Sequence, residues 1–211
     1  MIGGFYQPRF VWVDIDCLKT LPAREVVCGL GEVVKYGVSL DAELFAYLES
    51  NLERVLKLDE EAVMHAQGRC CELKAHIVAE DERETGLRMV LNYGHTVGHA
   101  LEAAGSFRVL KHGEAVLLGM MAEGYIAREM SLLAPEALER IIDLLRRIPL
   151  KARWSPITPA RVLQALKHDT KSADGKNRMV LPTHIGEVQV VDSIEPALIQ
   201  ASLKYISRGK Q

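Results

Sequence analysis

The run Leu91-Asn-Tyr-Gly-His-Thr-Val-Gly-His-Ala-Leu-Glu102 constrains this chain more than any other stretch. Helical spacing puts His95 and His99, four apart, on one face, and Gly94 and Gly98 keep that face narrow enough for something bulky to come close. Downstream, Lys111-His-Gly-Glu114 places a third imidazole at the start of another apolar helix. Upstream, Glu32 in Gly31-Glu-Val-Val-Lys-Tyr-Gly37 offers a carboxylate on a third helix. Two imidazoles, one carboxylate and an open coordination position describe a catalytic zinc site. A histidine pair four apart is, by itself, more often a polar helix stripe. Three histidines between 95 and 112, flanked by Arg88, Asn92 and Lys111, suit an anionic, hydroxylated ligand better than a structural zinc. The His-Glu-x-x-His arrangement of zinc proteases is absent. By spacing alone, His95 and His99 would be the paired ligands.

Composition narrows the class. With 211 residues, 48% of them hydrophobic and 26% charged, the chain can bury a large core. A formal charge of −2 provides no basic field for nucleic acid. No apolar run approaches the roughly 20 residues of a membrane helix, and the N-terminus lacks a cleavable signal pattern. Neither nucleic acid nor membrane is therefore expected as a partner. Cys17, Cys28, Cys70 and Cys71 form no Cys-x-x-Cys pair; they read as reduced thiols of a cytoplasmic protein, used as small hydrophobes.

Taken in order, Arg9-Phe-Val-Trp-Val-Asp-Ile-Asp16 has the β-branched and aromatic content of a short buried strand. Pro22 then suits the first turn of a helix, which divides the chain into residues 1–22 and a mainly helical domain over 23–211. Val26, Val27, Leu30, Val33 and Val34 set a helical period, with Glu32 and Lys35 on the neighbouring face. Read locally, Glu32 and Lys35 form an ordinary surface pair. Asp41 opens a second helix, and Asp59-Glu-Glu61 opens a long third one through Ala79 with an acidic first turn. His65 and His76 on that helix read as surface residues. The apolar stretch Ala115 to about Met130 is the expected central helix, with Met120 and Met121 as core filler. Pro135 starts a helix reaching Ile148, and Ser155-Pro-Ile-Thr158 caps another through Lys167. The tail predicts two short strands around a glycine turn, Arg178–Gly186 and Val188–Val191, then a closing helix over Ile194–Ile206. The expected fold is mainly α, with a small β-hairpin and an N-terminal strand.

The order Phe5-Tyr-Gln-Pro8, Leu18-Lys-Thr-Leu-Pro22, Gly31–Gly37, Leu91–Glu102 and His112-Gly-Glu114 resembles 3-dehydroquinate synthase, from residue 2 to about 190. The resemblance implies a ligand set of Glu32, His95 and His112 for Zn2+, with Co2+ able to substitute. It places His99 beside the substrate for proton transfer or phosphate contact. Lys35 would contact substrate, and Lys74, Glu84 and Arg88 would line the site; Lys35, Glu84 and His99 are the candidate catalytic groups. Arg88 can grip a carboxylate with two parallel hydrogen bonds, and Asn92 can hold a hydroxyl or phosphate. The family has Asp-Lys-Lys where this chain has Asp169-Thr170-Lys171, so Lys171 alone carries over as a phosphate contact. Zinc-bound imidazoles need an acceptor on their other nitrogen, for which Glu102 and Glu114 are both open.

The reaction so implied converts 3-deoxy-D-arabino-heptulosonate 7-phosphate to 3-dehydroquinate and phosphate, in the shikimate pathway, with NAD as a catalyst regenerated each turn. Family members carry an N-terminal NAD-binding domain, yet no Gly-x-Gly-x-x-Gly fingerprint occurs in these residues. Residues 1–22 are therefore expected to be a remnant of that domain, strand 9–16 the last strand of its sheet, and the chain inactive without it. A homodimer is also expected. Within the same fold, a 2-deoxy-scyllo-inosose or 2-epi-5-epi-valiolone synthase and a metal-dependent glycerol dehydrogenase stay open, as does a non-catalytic metal-binding fragment.

Overall fold

The apolar run after Glu114 forms helix α5 (His112–Glu129), and in the computed structural model the other elements pack around it. The structure describes residues 6, 8–82, 86–150, 157–169 and 178–208; Glu84, Lys171 and the turn at 155–156 lie outside them. Before α5 come α1 (Ala23–Leu40), α2 (Ala42–Leu56), α3 (Glu60–Glu80) and α4 (His95–Ala104). After it come α6 (Pro135–Arg147), α7 (Pro159–Asp169), strands β1 (Arg178–His184) and β2 (Glu187–Asp192), and α8 (Pro196–Arg208). Helix α5 touches α1, α4, α6, α8 and β1. That explains why its sequence is apolar all round: Val116, Leu117, Met120 and Ile126 are fully buried on its different faces.

The helix starts follow local chemistry. Asp41 accepts from the backbone N–H groups of Glu43 (2.9 Å) and Leu44 (3.1 Å) and so caps α2. Asp59 does the same for α3 through Ala62 at 3.1 Å, ahead of Glu60 and Glu61. Proline opens α6 at its first position. The hairpin is antiparallel, with Arg178 opposite Asp192 and Leu181 opposite Gln189. Its turn uses Gly186 at φ 92°, whose N–H donates to the Val38 carbonyl at 2.8 Å and ties the hairpin to the end of α1.

The segment 9–16 departs from its expectation. It forms no strand; it runs irregularly into a 3-10 turn at Ile15–Thr20, where Asp14 accepts from the Asp16 N–H. Phe10 and Trp12 are 80% and 84% exposed. A β-branched, aromatic run becomes a strand only when another strand satisfies its backbone, and among the described residues none pairs with it. Cys17, Cys28, Cys70 and Cys71 are all free thiols; Cys70 is buried, and burial pushes its thiol up to about 12. His65 and His76 stand on the exposed side of α3, as expected. Among the described residues, no helix is long and apolar enough to cross a membrane.

Candidate metal centre

Three helices bring the candidate ligands together: α1 carries Glu32 and Lys35, α4 carries His95 and His99, and α5 begins with His112. They meet because their backbones nearly touch. A Cβ on Gly113 would lie 2.2 Å from the Cys28 carbonyl oxygen, and one on Gly119 would lie 2.0 Å from that of Gly94. The glycines of the histidine motif serve the same contact. A Cβ on Gly98 would meet the Ala115 oxygen at 3.2 Å, so the narrow face admits α5 and not a bulky ligand. Gly94 also takes φ +80° to turn the chain into α4.

The carboxylate of Glu32 is shared. Its Oε2 takes the Lys35 ammonium at 2.6 Å, and Lys35 is only 4% exposed, which overturns the surface-pair reading of these two residues. Its buried Oε1 makes no hydrogen bond among the described residues. It stands 3.4 Å from His95 Nε2 and 3.3 Å from His112 Nε2. Ligand atoms about 2.1 Å from one zinc ion sit roughly 3.4 Å apart along a tetrahedron's edge. The separations therefore fit a metal between these groups better than direct contact. Burial pushes the Glu32 carboxyl up, but the His95 imidazole and the Lys35 ammonium outweigh it and bring it down to about 2, so the group stays an anion.

Each imidazole is aimed from its other side. His95 Nδ1 lies 3.2 Å from the Tyr93 carbonyl, and His112 Nδ1 lies 3.2 Å from Glu102 Oε2. Both contacts leave Nε2 toward Glu32. Glu102 is thus the acceptor behind His112. Glu114 is engaged elsewhere, with the Arg24 guanidinium at 2.8 and 2.6 Å and the Lys111 N–H at 2.9 Å. His99 reaches the same space: one nitrogen from each of His95, His99 and His112 falls within 4.8 Å of the others. It comes from the exposed side, its ring 5.3 Å from that of His95 and 5.7 Å from that of His112.

Other expected residues surround the cluster unevenly. Asp81 accepts from the N–H groups of Gly86 and Arg88, both at 3.0 Å, and so shapes the 3-10 turn Leu87–Asn92 that displays Arg88 and Asn92. Asn92 is exposed, and Lys74 is exposed on α3. A cavity beside His99 runs between α4 and α7 and is lined further by Ala103, Ser106, Phe107, Arg161 and Gln164. Sequence reasoning did not single out Asp81, Tyr93 or Glu123. The signal available for Glu123 was a lone charge in the apolar run Ala115–Ala127.

The chain has relatives among known proteins. The family model for the 3-dehydroquinate synthase C-terminal domain matches residues 29–172. A 3-dehydroquinate synthase from Microcystis aeruginosa is 42% identical over the whole chain, and one from Pseudoalteromonas translucida is 44% identical over 97% of it. The chain spans 58% of the length of each of these relatives. Among solved structures, a 2-epi-5-epi-valiolone synthase from Streptomyces hygroscopicus, with NAD+ and Zn2+ bound, superposes with a TM-score of 0.84 at 29% identity. It is covered over 55% of its length by 93% of this chain. A 2-deoxy-scyllo-inosose synthase complexed with carbaglucose-6-phosphate, NAD+ and Co2+ gives 0.78 at 25% identity, covering 97% of this chain and 58% of that one. With a family model matched over most of its length and a mainly helical fold shared with these cyclases, the chain belongs to the 3-dehydroquinate synthase family, over that family's C-terminal domain.

Proposed function

We propose that Glu32, His95 and His112 hold one zinc ion and that the chain supplies the metal and substrate half of a 3-dehydroquinate synthase. The whole enzyme would convert 3-deoxy-D-arabino-heptulosonate 7-phosphate to 3-dehydroquinate and phosphate, as a cytoplasmic homodimeric lyase of the shikimate pathway. The observation that carries this reading is the orphaned Glu32 Oε1, set at tetrahedral-edge distance from two imidazole nitrogens whose opposite sides are already held. Family membership supports the choice of chemistry.

A zinc ion there would polarise a substrate hydroxyl, and NAD on the enzyme's other half would take up and return the electrons. The chain's own residues do the rest. Buried Lys35 neutralises Glu32 and keeps an ammonium at the floor of the site for a substrate oxygen. His99, at the open side, can take or give a proton at a hydroxyl or phosphate oxygen. Arg88 suits the substrate carboxylate through its planar fork, and Asn92 suits a hydroxyl. Lys74, Glu84 and Lys171 complete the proposed substrate contacts. Of the two cyclase alternatives, both seen as fold neighbours, each is distinguished by a substrate lacking the carboxylate that Arg88 would bind.

Two measurements test this. Metal analysis of the purified chain should return one zinc per protomer, lost in His112→Ala and kept in His99→Ala; the reverse pattern would exchange the ligand sets. Residues 1–211 fused behind the N-terminal part of the Pseudoalteromonas relative should release phosphate from 3-deoxy-D-arabino-heptulosonate 7-phosphate with NAD. Release only from sugar phosphates without a carboxylate would move the assignment to another cyclase.

A further inference from the structure

Glu123 is an ionisable side chain with no solvent contact, on α5 and outside the candidate ligand set. Its two oxygens face α4. Oε2 accepts from the Gly94 N–H at 2.6 Å and Oε1 from the Val97 N–H at 2.9 Å, with the Thr96 N–H also directed at it. Helix α4 has no side-chain cap of its own, so this carboxylate from a neighbouring helix satisfies its first-turn donors. Burial pushes the carboxyl up to about 8, against the pull of those three N–H groups. Its recorded hydrogen bonds are all accepted ones, from backbone N–H groups at both oxygens, and among the described residues none takes a proton from it, an environment that favours the carboxylate over the acid.

The Gly94 N–H that Glu123 holds belongs to the same peptide unit as the Tyr93 carbonyl. That carbonyl is the group 3.2 Å from His95 Nδ1, and since a carbonyl only accepts, His95 must donate from Nδ1. We propose that Glu123 is a positioning residue for the metal centre: through the Tyr93–Gly94 peptide it fixes the Nδ1–H tautomer of His95 and aims Nε2 at Glu32. An anion at the N–H end of a peptide polarises its carbonyl toward more negative charge. The imidazole behind that carbonyl becomes the more basic ligand. Tyr93, fully buried with its hydroxyl donating to the Met120 carbonyl at 2.8 Å, keeps the same peptide from rotating.

This inference rests on the metal reading above, and its test separates the two. Zinc affinity is measured on the full chain by competition with a chelator, alongside apo stability and Co2+ absorption, for wild type, Glu123→Gln and Glu123→Asp. Outer partners of metal ligands typically contribute about 10–100-fold in affinity, and a loss of that size is expected for Glu123→Gln, with partial recovery in Glu123→Asp, which retains the charge. A folded Glu123→Gln chain with wild-type zinc affinity and an unchanged Co2+ spectrum overturns the proposal. Should the variants not fold, nitrogen NMR of metal-free wild type, at a pH where the His95 ring carries a single proton, decides: that proton on Nδ1, with a far-downfield Gly94 amide proton, supports it, and that proton on Nε2 refutes it. Failure of wild type to bind zinc would instead refute the metal reading, and the His95 tautomer would still judge the peptide link.

Discussion

Replacing Gly119 by alanine should damage both the stability and the metal affinity of this protein, although alanine is the better helix former. The added Cβ would lie 2.0 Å from the Gly94 oxygen and 2.9 Å from both the Gly94 carbon and the Gly98 nitrogen, whereas real Cβ atoms do not come within 3.0 Å of a neighbour. All three atoms are backbone, so no rotamer change relieves the clash, and α4 must retreat from α5 by about 1 Å. Overpacking of this kind costs roughly 1–3 kcal/mol or more, against a helix-propensity gain of about 1 kcal/mol. The same retreat carries His95 away from Glu32, opening the 3.4 Å separation between them that suits a tetrahedral ion. Gly68→Ala is the control: nothing lies within 4 Å of its Cβ on the exposed side of α3. There the propensity gain of about 1 kcal/mol should appear undiminished, raising the melting temperature by roughly 2–4 °C. Urea unfolding without metal, followed by chelator competition for zinc, measures both quantities. A Gly119→Ala chain as stable as wild type and with unchanged zinc affinity would refute the claim that backbone contact between α4 and α5 builds the site.

Stability should also fall in acid through Asp41. Burial pushes its carboxyl up, but the Arg69 guanidinium and the first N–H groups of α2 outweigh this and hold it below the ordinary carboxylate value. Its contribution is therefore complete above the unfolded pKa of about 3.9 and is lost as pH falls through the lower folded value; Asp41→Asn should flatten that limb in pH-dependent urea unfolding, and an unchanged limb would count against it. Tyr93→Phe removes a buried hydrogen bond to the Met120 carbonyl, which keeps its helical partner in α5, and should cost about 0.5–1.5 kcal/mol, measured in the same unfolding assay. Its zinc affinity should fall less than that of Glu123→Gln, because the Tyr93–Gly94 peptide stays bound to Glu123.

Much of this protein is written in short-range signals. Asp41 and Asp59 cap their helices through N–H groups two or three residues away, Pro135 opens α6, and Gly186 turns the hairpin. Such features depend on a few consecutive dihedrals and donors, so the sequence by itself determines them. The residue types at 32, 95, 99 and 112 are equally legible as a candidate metal set, although spacing alone favours His95 with His99. Only the tertiary structure decided that Glu32 Oε1 faces Nε2 of both His95 and His112. It also chose Glu102 over Glu114 behind His112, buried Lys35, and turned Gly98 toward α5. Residues 9–16 make the same point in reverse: their composition suits a strand, but a strand's hydrogen bonds belong to its neighbour. The Glu123 contact spans 29 residues to Gly94, and no local pattern specifies it. Such partners are selected when helices close together and every buried donor must find an acceptor, a condition on the whole packed chain and not on any stretch of it.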